Sequence, residues 1–168
     1  MNLITIKTVT DMKRITTIMM VCLLFAATVA AQAGLNINRL FNENLKTKTW
    51  VTQELNGKTE IIVTGKKAKE MGLSTYHSLS LSSGTKAERD NIVNLLAKDA
   101  AHAIDKDVEY RNGQLYYGFY TLKPNKKNKR YIFYLNQNLA RKSPQNVVTI
   151  IYMEGKKSPE EVKKLIRK

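Results

Sequence analysis

The sequence predicts an α+β domain: an antiparallel meander sheet with amphipathic helices packed on one face. Three observations carry this. Two Asn-Gly dipeptides, Asn56-Gly57 and Asn112-Gly113, supply the pair of residues that tolerate the positive φ a two-residue type I′ hairpin needs. Two capping boxes, Thr85-Lys86-Ala87-Glu88 and Ser158-Pro159-Glu160-Glu161, mark helix starts, because the hydroxyl accepts from the backbone N–H three residues on while the Glu reaches back to the cap's own N–H. The runs between these signals are rich in β-branched and aromatic residues and follow one another through short turns, so sequence neighbours pair antiparallel.

Near the start of the chain Lys13-Arg14 precede the apolar run "ITTIMMVCLLFAATVA", which is followed by Ala31-Gln32-Ala33. A basic n-region, an apolar h-region and an A-x-A site predict a secretory signal over residues 1–33, cleaved to leave Gly34 first. A cut after Ala31 and a start at Met12 are the alternatives. The run is shorter than the ~20 residues of a spanning helix. Residues 34–168 then form one domain without a transmembrane span. The chain has one cysteine, Cys22, inside the apolar run, so the mature part has no disulfide, thiolate metal site or cysteine nucleophile. An exported chain without disulfides fits the periplasmic or secreted compartment of a Gram-negative bacterium, because 135 residues can build a core unaided.

A helix is expected over residues 36–46, with Ile37, Leu40, Phe41 and Leu45 on one side. "TWVTQEL" and "KTEIIVTG" flank the first Asn-Gly turn, "GKKAKEMG" reads as a short basic helix closed by Gly72, and "TYHSLSLS" is the next strand. After Thr85 the residues Ile92, Val93, Leu96, Ala100, Ala103 and Ile104 recur at helical spacing. "DVEYR" and "QLYYGFYTL" flank the second Asn-Gly turn, "RYIFYLNQ" and "VVTIIYME" follow, and Val162, Leu165 and Ile166 line the closing helix.

Candidate chemistry concentrates in "YYGFYTLKPNKKNKRYIFY". Strict alternation sends Leu115, Tyr117 and Phe119 to one face and Tyr116, Tyr120 and Leu122 to the other, with Tyr131, Phe133 and Leu135 opposed to Ile132 and Tyr134. Pro124-Asn125 marks a turn that places Lys126, Lys127, Lys129 and Arg130 on a hairpin loop. Tyr116, Tyr117, Tyr120 and Tyr134 with these four cations are the candidate binding residues, since tyrosine buries its ring while its hydroxyl stays wet. Three of the 28 basic residues and one of the 14 acidic ones lie in the first 33, which leaves the mature chain at +12 and favours anionic partners. The likeness to the RNA-recognition signature fails at Tyr117, Tyr120 and Thr121, which disfavours nucleic acid. A protein, peptide or anionic glycan of the envelope is the expected partner, and the sheet face is also a candidate homodimer contact.

Catalysis is the second reading. His77 shares the parity of Leu73, Thr75, Leu79 and Leu81, and His102 lies near Asp105, Asp107 and Glu109, so a hydrolase would use one of these histidines with a carboxylate. The spacing around His102 does not converge on one point, which speaks against a metal. "TGKKAKEMG" lacks the second Gly and the Lys-Ser/Thr ending of a phosphate loop, and no serine elbow is present. No cofactor is expected.

The order "INRLFNE", "YHSLSLS", "LYYGFYTL", "RYIFYLNQ", "TIIYMEG", "SPEEVKKLI" resembles the small exported Bacteroidetes proteins grouped in families of unknown function. The resemblance implies an envelope setting and supplies no catalytic or binding residues.

Overall fold

The structure is a computed structural model that describes residues 34–41, 50–142 and 144–166. The chain divides into two units, residues 1–35 and 36–168. The expected signal, together with Leu45 and the remainder of the predicted first helix, lies outside the described residues, and the fold below is that of the second unit.

Among the described residues seven strands form one antiparallel sheet: β1 (Trp50–Leu55), β2 (Lys58–Thr64), β3 (Leu73–Ser82), β4 (Asp105–Arg111), β5 (Gln114–Asn125), β6 (Asn128–Asn136) and β7 (Val147–Gly155), in the order β1-β2-β3-β7-β6-β5-β4. It is two meanders, β1–β3 and β4–β7, sewn together where β3 pairs with β7. The helices are α1 (Gly65–Glu70), α2 (Lys86–Ala100) and α3 (Pro159–Ile166), with a 3-10 turn at Asn36–Leu40. α2 carries the chain from β3, inside the sheet, to the free edge strand β4.

Local chemistry explains most of this. Asn56-Gly57 and Asn112-Gly113 adopt φ of +52° and +71°, and +50° and +73°, as the hairpin turns demand. Gly57 is fixed a second way, because a Cβ there would lie 2.5 Å from the carbonyl oxygen of Ser82. Both capping boxes form. The Glu88 N–H donates to Thr85 Oγ1 at 3.2 Å and the Thr85 N–H to Glu88 Oε2 at 3.0 Å, while Ser158 N–H donates to Glu161 Oε2 at 2.8 Å. The Lys58 ammonium, 2.9 Å from Glu88, and then the cap amide and hydroxyl of Thr85 hold the Glu88 carboxyl down at about 2.

The core lies on both sides of the sheet. One face carries Val63, Phe119, Tyr131, Phe133, Ile151 and Met153 against Ala68 of α1 and Val162 of α3. The long amphipathic helix α2 and the 3-10 turn cover the other face, where Ile62, His77, Ile132, Tyr134 and Ile150 point. A residue absent from the expected apolar stripe joins the two covering elements. Asp99 is buried, and its two carboxylate oxygens accept the N–H groups of Asn36 and Ile37 at 2.8 and 2.9 Å.

Three local expectations are corrected. α2 ends at Ala100 rather than near Asp105, which instead opens β4, and Ile104 is exposed rather than part of the stripe. The β5–β6 turn falls at Lys126-Lys127, two residues after Pro124, because the register slips between Leu122 and Asn125 and a bulge tolerates proline's missing N–H. A second slip sets Glu109 opposite Tyr117 but Tyr110 opposite Leu115. Tyr116 is the extra residue, so Leu115 shares the face of Tyr120 and not that of Tyr117.

Candidate functional site

α2 crosses the sheet without closing over β4. Its large residues Ile92 and Leu95 are buried away from the groove, whereas the side it turns toward the edge strand presents Val93, Leu96, Ala97 and Ala100, followed by Ala101 at its C-cap. Alanines there leave a wedge that longer side chains would fill, a groove of about 870 Å³, within the range of small-ligand sites. Leu115, Tyr120, Tyr134 and Asn136 form the floor, and Lys106, Val108 and Tyr110 form the β4 wall.

Three phenols converge in it. Tyr120 lies across Gly118, where a Cβ would meet the ring at 2.6 Å, so the glycine permits the ring to lie flat against the sheet. Burial, with the Tyr110 and Tyr134 hydroxyls nearby, pushes the Tyr120 phenol up to about 12. Burial pushes Tyr134 to about 12 as well, against the opposing effects of the Asn136 side chain and Arg89. Tyr110 stands on the rim, 63% exposed. Lys86, Arg89 and Lys106 outnumber the lining carboxylate, Asp90, which accepts from Lys86 at 2.5 Å. Arg89 is held in place by the Gly84 carbonyl and, at 3.3 Å, by Asn146 Oδ1.

The eight candidate binding residues are therefore divided. Tyr120 and Tyr134 are buried on the groove floor; Tyr117 lies on the opposite face, edge-on to Phe133 at 5.7 Å; Tyr116 sits at the bulge with the Arg111 guanidinium 3.3 Å above its ring. The four rings do not make one exposed platform, because helices cover both faces and the bulge shifts the alternation. Lys126, Lys127 and Lys129 are exposed at the β5–β6 turn, and half-buried Arg130 donates to the Lys123 carbonyl at 2.8 Å. None of these four lines the groove.

His77 does meet a carboxylate: its Nε2 lies 2.5 Å from Glu60 Oε1. Both are buried, and Phe41 stacks on the imidazole with ring centroids 3.8 Å apart, so the pair is sealed beneath a ring. His102 is exposed beyond α2, while Asp107 engages Lys163 at 2.7 Å and Glu109 engages Arg111 at 2.8 Å. Neither histidine lines the groove. Among the described residues no group of three His, Cys, Asp or Glu side chains gathers in a metal-binding arrangement, and no helix is long and apolar enough to cross a membrane.

Sequence reasoning missed Lys106, Val108 and Tyr110, although their alternation in "DKDVEYR" is the signal that sets them on one face. It missed Arg89 and Asn136 because only the tertiary fold gathers them.

No curated protein and no solved structure matches the chain. A family match covers residues 24–166, which takes in the sheet, the three helices and the whole groove; the chain belongs to this family of unknown function, DUF6108.

Proposed function

We propose that this chain is an exported cell-envelope protein of a Gram-negative, Bacteroidetes-type bacterium that binds, without chemical conversion, an anionic ligand with a flat apolar body. The observation that carries the reading is the groove between α2 and β4, where the exposed ring of Tyr110 and three cations surround one carboxylate above the buried rings of Tyr120 and Tyr134. An exposed aromatic ring stacks on a flat apolar body, and Lys and Arg at a rim select and orient an acid. A lining without histidine or cysteine supports binding over hydrolysis. The ligand is free or is the acidic-aromatic portion of an envelope protein or peptide. Export is supported by Lys13-Arg14, the apolar run after it and the Ala31-Gln32-Ala33 site.

The test is fluorescence titration with 8-anilinonaphthalene-1-sulfonate, an anionic aromatic probe, with NMR mapping of the bound site. One site is expected at the groove, weakened roughly fivefold or more by Lys106→Glu or Tyr110→Ala, since each removes a rim contact worth about 1 kcal/mol. Unchanged binding in both variants would sink the reading.

A further inference from the structure

The lysines that the sequence singles out do not serve the groove, and the fold gathers them elsewhere. The β5–β6 turn, α1 and the β7–α3 connection all occupy one end of the sheet: Lys129 is opposite Gly155 and Leu73 is opposite Gly155 in register. Lys157 closes the arrangement, its side chain lying so close over Gly72 that a Cβ there would meet it at 2.3 Å. Lys66, Lys67 and Lys69 are exposed on α1, whose Ala68 faces the core. Lys126, Lys127 and Lys129 are exposed at the turn, and Lys156 is exposed beyond β7.

Four carboxylates share this end, Glu160, exposed in the first turn of α3, among them. Glu154 accepts from Asn128 at 3.1 Å and from Tyr152 at 2.9 Å, Glu70 is 3.3 Å from Lys67, and Glu161 caps α3 at Ser158. Of the cations named, only Lys67 and Lys157 form a salt bridge with a described residue. Eight lysines therefore meet four carboxylates, an excess of positive charge at one end of the molecule.

We propose that this end docks on an anionic lipid bilayer, by attraction to its phosphate headgroups. Two features select a membrane over other polyanions. The cations project from turns and a helix surface rather than lining a channel that would track a strand of polymer. They are almost all lysine, whose compact charge suits diffuse attraction to many headgroups, whereas planar bidentate recognition favours arginine; the one arginine, Arg130, already donates to a backbone carbonyl.

The test is vesicle co-sedimentation of the full chain. Binding to neutral phosphatidylcholine vesicles is subtracted for the apolar run at residues 15–30, and because Lys7, Lys13 and Arg14 also attract anionic lipid, the surface is assigned by the variants. Vesicles carrying about 30 mol% phosphatidylglycerol should bind about tenfold more tightly or better, and about 0.5 M NaCl should abolish the difference. The triple variant Lys126→Glu, Lys127→Glu, Lys129→Glu should lose it too, whereas Lys142→Glu, in the β6–β7 connection at the opposite end of the sheet, should keep most of it. Equal binding to neutral and anionic vesicles overturns the proposal, as does an unaffected triple variant. Capture by soluble heparin or single-stranded DNA with no gain on anionic vesicles also overturns it, and points to a polymer instead.

Discussion

The carboxylate of Asp99 lies 2.9 Å from the backbone N–H of Ile37, sixty-two residues earlier in the chain. One side chain of α2 thereby takes the place of a local cap for the 3-10 turn and holds Ile37, fully buried, against the helix. Asp99→Ala would leave two N–H groups without their acceptor in a dry setting, at a cost of about 2–3 kcal/mol. Asp99→Asn keeps one acceptor oxygen and should cost about half as much. Urea unfolding gives the magnitudes. Hydrogen exchange at Asn36 and Ile37 gives the place, and slow exchange there in the alanine variant would refute the assignment.

Gly118 and Tyr120 make a second testable pair. A methyl group at Gly118 collides with the Tyr120 ring, so Gly118→Ala should lift the ring from the groove floor and destabilise the fold by about 1–3 kcal/mol. Probe binding should weaken along with stability. Gly118→Ala with Tyr120→Leu should recover part of the stability, because the shorter side chain leaves room for the methyl, but not the aromatic floor. A double variant no more stable than Gly118→Ala alone would show that the close approach is not what the glycine is for.

The two floor phenols also set an alkaline limit. A folded-state value of about 12 for Tyr120 and Tyr134 exceeds the ordinary value near 10. The unfolded chain therefore releases these protons first, and stability falls as pH rises. The contribution is complete below pH 10 and is lost between pH 10 and about 12. Tyr152, raised by its burial and by Glu154, acts in the same direction. Phenolate absorbance should climb together with loss of circular dichroism in that window. Smooth titration of all tyrosines near pH 10 with the fold intact would contradict it.

Export is read from the N-terminus of the protein recovered from its host. Intact-mass analysis of the envelope fraction should find a chain beginning at Gly34, or at Gln32 if cleavage follows Ala31. A full-length chain in the cytoplasm would end the envelope reading.

Signals carried by a few adjacent residues are legible in the sequence alone. The Asn-Gly turns, both capping boxes and the short basic helix closed by Gly72 stand where residue type and spacing put them, because each is satisfied by atoms within four residues. The bulge that moves Leu115 to the face of Tyr120 is not legible there, since Tyr116 becomes an extra residue only when β4 pairs alongside. Alternation places His77 on an apolar face, and it is buried; its partner Glu60, on the neighbouring strand, is visible only from the register.

The sequence by itself therefore determined the α+β class, the antiparallel pairing, the helix starts and the excess of positive charge, all of which depend on residue type and short-range spacing. Only the tertiary structure decided the partition of that chemistry. The order of strands brings β7 between β3 and β6 and sends α2 to the edge. This buries Tyr120 and Tyr134 under a helix, opens the groove beside β4 and moves the lysines to one end of the sheet. Such an outcome rests on contacts between residues far apart in sequence. Their free energies depend on which surfaces meet, and no local pattern specifies that.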